Sequence, residues 1–189
     1  MAEDTKNVSN YLESIIKIKG IKLDNPRLGV TKARINKAFE ILPEEVLNLF
    51  LGRSRKLSLS ITRGSELSPG MRTTTERYSG RPVYSISICD EALGWPEDHF
   101  IGALLRELGH VTAELLPENE WPQERGARAR YKESIECKAD ALVWSWGLRH
   151  YDMIFLSETY PSHWVDKIVN DISMMLLSMG TAQSDMSLT

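Results

Sequence analysis

The residues best suited to chemistry lie together at 106–110, which read Arg106-Glu107-Leu108-Gly109-His110. Residues three and four apart share one face of a helix, so Arg106, Glu107 and His110 are expected to point the same way. An imidazole is a common metal ligand, and a nearby carboxylate can act as a general base. The arginine differs, because it stays protonated and offers only hydrogen-bond donors. The spacing therefore predicts a site like a metal-binding site, in which Arg106 cannot act as a ligand.

Residues 106–110 differ at one position from His-Glu-x-x-His, the signature of zinc peptidases. In the intact signature, two histidines four residues apart bind one Zn²⁺, and the glutamate between them activates the bound water. His110 matches the second ligand and Glu107 matches the general base. Arg106 stands where the first histidine would be.

A zinc site of this kind needs a third protein ligand from a later helix. The candidate is Glu136, in the segment Glu136-Cys137-Lys138-Ala139-Asp140. Asp140 shares a helix face with Glu136 and is expected to accept a hydrogen bond from a ring N–H of His110. A ligand glutamate followed by Ala-Asp at this spacing resembles the gluzincin metallopeptidases.

The elements that must position these residues follow hydrophobic periodicity. Alternating residues predict strands at 57–62 and 83–89, and helical spacing predicts five segments around them. The predicted helices are 8–19, one capped by Thr31 that ends near 42, one from 96 to about 116, 127–150 and 162–178. Pro43 opens a further short turn of helix. Glycine and proline predict a loop at 20–30 and a long loop or irregular hairpin at 63–82, and 117–126 is also expected to be a loop. The order of the elements is typical of an α+β fold.

The resemblance to a zincin-like metallopeptidase domain covers about residues 35–150. It implies a small mixed or antiparallel sheet, an active-site helix and a helical C-terminal part. It also implies that the strand at 83–89 is the edge strand, which pairs with an extended peptide. Tyr131 is the candidate for a tyrosine that stabilises the oxyanion in such enzymes. The expected division is a helix and loop at 1–30, one zincin-like domain at 31–180 and a flexible tail at 181–189.

Composition limits the partners that we expect. The net charge of −3, over 189 residues, does not indicate binding to nucleic acid or to an anionic membrane. We expect no membrane span and no signal peptide, and therefore a cytoplasmic location. Cys89 and Cys137 lack metal-ligand spacing and are expected to be reduced thiols. His99, His150 and His163 are expected to be structural.

Arg106 decides between three hypotheses for function. An arginine at this point is expected to pair with Glu136, and also with Glu107, and so to replace the charge of the metal. The favoured hypothesis is a metallopeptidase-like pseudoenzyme that binds a peptide or protein, with zinc doubtful as a cofactor. The second is an active metallopeptidase with an atypical zinc site and Glu107 as its base. The third is a structural or interaction module without peptidase ancestry.

Overall fold

The computed structural model describes residues 2–19, 26–51, 56–63 and 70–186. These residues form an α+β fold, with seven α-helices and one four-stranded mixed sheet. The elements are α1 Ala2–Ile15, β1 Ile16–Lys19, α2 Pro26–Glu40, α3 Glu44–Leu51, β2 Lys56–Thr62, β3 Met71–Tyr78, β4 Arg81–Cys89, α4 Glu97–Thr112, α5 Arg125–Ser145, α6 Arg149–Thr159 and α7 Ser162–Met186. Two short 3-10 helices, Asp90–Gly94 and Glu118–Glu120, flank α4.

The sheet has the strand order β1-β2-β4-β3. The pairs β1–β2 and β2–β4 are parallel, whereas β3 is antiparallel to β4. Alternate residues of β2 and β4 are buried in the main core, as their sequence alternation predicts. These buried residues are Leu57, Leu59, Ile61, Tyr84, Ile86 and Ile88. Serines occupy the opposite face, where the hydroxyls of Ser58 and Ser85 lie 2.9 Å apart.

Of the two alternatives predicted for 63–82, a long loop or an irregular hairpin, the structure contains the hairpin, in which residues 71–78 form the strand β3 and pair with β4. Residues 64–69 of the same segment lie outside the described part. β3 joins β4 through Ser79 and Gly80, whose φ angles of 51° and 76° are those of a type I′ turn. The sequence Met71-Arg72-Thr73-Thr74-Thr75 has no apolar alternation. Hydrophobic periodicity therefore gave no signal for this strand.

The N-terminal predictions need two corrections. The predicted helix at 8–19 ends at Ile15, and the next four residues form β1, which extends the sheet beside β2. The predicted loop at 20–30 is helical from Pro26, a residue well suited to the first helical turn. Thr31 is therefore inside α2 rather than its N-cap, and its hydroxyl donates to the carbonyl of Arg27 at 2.8 Å. Residues 20–25 lie outside the described part.

The C-terminal helices also differ from prediction. The predicted helix at 127–150 is two helices, because the chain turns at Gly147 with φ of 77° between α5 and α6. α7 continues to Met186, beyond its predicted end at 178. None of the helices in the described ranges is long and apolar enough to cross a membrane. The thiol of Cys89 donates to the carbonyl of Gly70 at 2.8 Å, and Cys137 has no disulfide within the described ranges.

α4 is the central helix, and most of its residues are buried. A glycine lets it approach α5 closely beside the predicted site. A Cβ atom on Gly109 would lie 2.7 Å from the backbone oxygen of Ala139, which is closer than packed atoms tolerate. The close approach of the two helices brings Arg106 of α4 within hydrogen-bond distance of Asp140 of α5.

Candidate functional site

A cleft of about 630 Å³ brings the predicted site residues together. Its walls are β3, the C-terminal half of α4, the segment at 115–121 and the first half of α5. Arg106, Glu107, His110 and Glu136 all line it. Sequence spacing placed the first three of these on one helix, and only the packing of α5 against α4 adds Glu136.

Arg106 joins two carboxylates of α5. Its Nε donates to Oδ1 of Asp140 at 2.5 Å, and its Nη2 lies 2.8 Å from Oε2 of Glu136. The guanidinium also lies over the ring of Phe155, with 5.5 Å between its central carbon and the ring centroid. Burial by itself lowers the pKa of Arg106, but the charges of Asp140 and Glu136 outweigh this effect and raise the pKa above its ordinary value. The guanidinium is thus a fixed cation at neutral pH.

His110 and Glu136 form the second contact of the site. Nε2 of His110 lies 3.2 Å from Oε2 of Glu136, the same oxygen that forms the ion pair with Arg106. Burial raises the pKa of Glu136, but the hydrogen bond from His110 and the charge of Arg106 outweigh it and bring that pKa to about 2. Glu136 is therefore an ionised acceptor, and Nε2 of His110 carries the hydrogen.

Opposing effects also set the pKa of His110. Burial lowers it, whereas the hydrogen bond to Glu136 and the negative charges of Glu107 and Glu136 raise it above its ordinary value. Nδ1 of His110 is buried and has no hydrogen-bond partner among the described residues.

Two predicted contacts are corrected by this geometry. Asp140 was expected to accept a hydrogen bond from a ring N–H of His110. It instead accepts two hydrogen bonds from Arg106, one turn earlier on α4, at 2.5 and 3.4 Å. The expected ion pair between Arg106 and Glu136 is present. The expected pair between Arg106 and Glu107 is not found in the described part of the chain. The backbone oxygen of Glu107 accepts a hydrogen bond from the hydroxyl of Thr73 at 3.2 Å.

The predicted oxyanion residue, Tyr131, has a different contact. Its hydroxyl accepts a hydrogen bond from the backbone N–H of Leu116 at 3.0 Å. Its ring packs on Trp121, whose indole N–H donates to the carbonyl of Leu116 at 2.8 Å. Tyr131 thus anchors the segment between α4 and α5, which forms one wall of the cleft.

The other histidines lie in packing contacts. Nδ1 of His99 lies 2.6 Å from Oε2 of Glu158, and its ring packs on Trp95. His150 contacts the ring of Tyr151, and His163 contacts that of Trp164. These placements agree with the structural role expected from the sequence.

The cleft offers two of the three protein ligands of such a zinc site, His110 and Glu136, and Arg106 stands at the third position. Among residues 2–19, 26–51, 56–63 and 70–186, no group of three or more His, Cys, Asp or Glu side chains is arranged around a metal position. Nε2 of His110 carries a hydrogen, and Oε2 of Glu136 is shared by His110 and Arg106. A metal at this point would have to displace the guanidinium.

The edge strand of the cleft is β3 rather than the predicted strand at 83–89, which lies inside the sheet between β2 and β3. The amide of Cys89 donates to the carbonyl of Gly70, and hydrogen-bonded pairs then recur at every second residue. The amides and carbonyls of Met71, Thr73 and Thr75 therefore point away from β4. The threonine run and the Ser79-Gly80 turn were the sequence signals for this hairpin.

Asp152 is a buried residue of this region that sequence reasoning missed. It lies on α6, is fully buried, and accepts a hydrogen bond from the indole N–H of Trp144 at 2.7 Å. Its other oxygen has no hydrogen-bond partner within the described ranges. Burial and the charge of Asp140 raise its pKa to about 7, against the opposing effects of Trp144 and Arg106.

Asp152→Asn is expected to stabilise the protein above neutral pH. Because the folded pKa of about 7 exceeds the ordinary value of 3.8, the folded state keeps a proton that the unfolded state releases. The contribution of Asp152 to stability is therefore intact below pH 4 and is lost as the pH rises through 7. The amide cannot ionise, so the advantage of the variant over wild type should grow by about 2–3 kcal/mol between pH 5 and pH 8.

Urea unfolding of both proteins between pH 5 and 8 measures this difference. Subtracting the wild-type curve removes the pH dependence of His110 and Glu136, which the two proteins share. A difference that does not grow with pH would contradict a raised pKa at Asp152.

Comparisons with known proteins give no independent assignment of this site. No protein-family model, no curated protein and no solved structure matches the chain. The likeness to zincins therefore depends on the motifs and on the cleft that they line.

Proposed function

We propose that this chain is a zincin-like pseudoenzyme whose cleft binds an extended segment of a peptide or protein. Arg106 replaces the metal as the cation of the site, and β3 supplies the edge on which the bound segment forms hydrogen bonds. The binding mode is strand addition, in which main-chain hydrogen bonds give affinity and side-chain pockets give specificity.

The observation that carries the proposal is the contact of Arg106 with Glu136 and Asp140. In a zincin the first histidine of the signature would occupy this place on α4, and the third ligand would occupy that of Glu136. A buried carboxylate without a cation is costly, so a guanidinium that hydrogen-bonds to Asp140 and forms an ion pair with Glu136 maintains the scaffold without metal. It also removes the Lewis acid that peptide hydrolysis would need.

The edge of β3, which no strand of the described ranges covers, supports the binding half of the proposal. Unpaired strand edges are sites at which another chain can pair, and proteins normally cover or charge them. Here the outward amides at residues 71, 73 and 75 border a cleft that is open along the same residues. The neighbouring segment is fixed to β3 by an ion pair between Arg77 and Glu120, at 2.5 and 2.8 Å.

Thr75→Pro is expected to weaken peptide binding about tenfold, because it removes one outward N–H and restricts the strand edge. The N–H at residue 75 is not part of the ladder with β4, so the hairpin should survive. Binding is measured by fluorescence polarisation with a library of extended heptapeptides whose ends are acetylated and amidated. Circular dichroism checks that the variant is folded.

The matched control is Thr75→Val, which keeps the N–H and removes a hydroxyl that has no hydrogen-bond partner in the described structure. This variant should bind library peptides that lack a basic residue as tightly as wild type. Equal binding by the proline and valine variants would show that the edge of β3 is not used.

The second candidate function is an active metallopeptidase, and the retention of Glu107 in the cleft is what favours it. If this second candidate is correct, the purified chain contains stoichiometric zinc and hydrolyses casein, and Glu107→Gln abolishes the hydrolysis. The pseudoenzyme is expected to show no zinc-dependent hydrolysis in either form. Hydrolysis by the wild type that is lost in Glu107→Gln would reverse the order of the two candidates.

A further inference from the structure

The charges that line the cleft are not balanced. Its charged residues, apart from His110, are Arg72, Glu76, Arg106, Glu107, Glu118, Lys132 and Glu136. Two pairs join four of them: Arg106 with Glu136 at 2.8 Å, and Arg72 with Glu118 at 3.8 Å. Within the described ranges, the carboxylates of Glu76 and Glu107 have no salt-bridge partner. The remaining cation, Lys132, lies on the wall formed by α5, so an occupant beside β3 meets the carboxylates of Glu76 and Glu107.

Glu107 is the better placed of the two carboxylates. It is half-buried on α4, and the hydrogen bond from Thr73 to its backbone oxygen fixes it next to the middle of β3. Its charge acts on His110, whose pKa it helps to raise, but that imidazole hydrogen-bonds to Glu136. A partly desolvated carboxylate without its own cation is unfavourable, and a cation supplied by a ligand would relieve the cost.

A second acceptor lies on the β3 wall of the cleft. Thr75 lines the cleft and is more than nine-tenths buried, yet its hydroxyl has no hydrogen-bond partner among the described residues. An ammonium or guanidinium group offers several donors, which a carboxylate and a hydroxyl can share. A neutral or acidic side chain at this point would leave both acceptors unmatched.

We propose that the segment bound along β3 carries a lysine or arginine whose side chain is held by Glu107, an inference that rests on the proposed function. The cation lies on the α4 side of the strand, and Glu107 acts as a specificity residue rather than as a general base. Lys132, on the opposite wall over the ring of Trp121, repels a second basic residue there. Recognition is thus by one basic side chain in an otherwise extended peptide.

The test uses the purified full chain and the same blocked heptapeptides, with each position varied in turn. Lysine is compared with norleucine, and arginine with citrulline, so that only charge changes. The expected result is a preference of about tenfold for the charged residue at one position. Glu107→Gln should abolish this preference and leave the neutral peptides bound as before. Glu107→Lys should reverse it in favour of aspartate or glutamate.

Asp98→Asn is the matched control, since Asp98 is an exposed carboxylate on the same helix and does not line the cleft. It should keep the preference for the basic residue. Peptides that bind without any basic preference, or a preference that survives in Glu107→Gln, would overturn the inference and leave the proposed binding intact. If no peptide binds and Thr75→Pro changes nothing, the proposed function itself fails, and this inference with it.

Discussion

Replacement of Arg106 by methionine is expected to lower the free energy of unfolding by about 3–5 kcal/mol, because it leaves a buried charge without a partner. Asp140 is 1 % exposed and hydrogen-bonds to Arg106 through both oxygens. Methionine fills much of the same volume, so the loss reports the missing charge rather than a cavity. Urea unfolding at pH 7 measures the change.

The double variant Arg106→Met with Asp140→Asn separates charge from packing. It should recover a large part of the lost stability, because the buried aspartate is then neutral. The single variant should also recover as the pH falls toward 4, where Asp140 can take up a proton. Lys37→Met removes an exposed pair with Glu97 and should leave the unfolding midpoint nearly unchanged. A loss below about 1 kcal/mol in Arg106→Met would contradict the role given to the ion pair.

Arg106→His is expected to create a zinc site with an affinity on the order of 1000-fold above that of the wild type. The variant places two histidines four residues apart on α4, with Glu136 opposite them on α5. Asp140 would accept a hydrogen bond from the new imidazole as it now does from Arg106, which orients the ring. Metal analysis after dialysis gives the stoichiometry, and competition with a chromogenic chelator gives the affinity.

Arg106→Gln is the matched control, since it removes the guanidinium without adding a ligand. One zinc per chain on His110 and Glu136 in the wild type would refute the replacement of the metal by Arg106. Failure of the histidine variant to bind zinc would instead favour the third hypothesis, a structural or interaction module in which the motif is incidental.

The strands show where sequence patterns succeed and fail. β2 and β4 bury alternate apolar residues, so their hydrophobic period predicts them directly. β3 lies at the edge of the sheet, where most of its side chains face water or the cleft, and its threonines carry no such period. The strand that matters most for the proposed binding is therefore the one that hydrophobic patterning could not find.

The pairing within the site shows a similar limit. Helical spacing correctly places Glu136 and Asp140 on one face of α5, but it does not specify which turn of α4 each one meets. The prediction joined Asp140 to His110, whereas the close approach at Gly109 brings Asp140 to Arg106 instead. Such a choice depends on the relative shift of two helices by about one turn, a long-range property.

By itself, the sequence determined the α+β order, the two central strands and the shared face of Arg106, Glu107 and His110. These follow from local periods of the backbone, which each segment sets through its own residues. Only the tertiary structure decided that β3 is the edge strand, that Glu136 closes the site and that Glu107 has no salt-bridge partner among the described residues. Those features join residues far apart in the chain, and they depend on how the helices and the sheet pack.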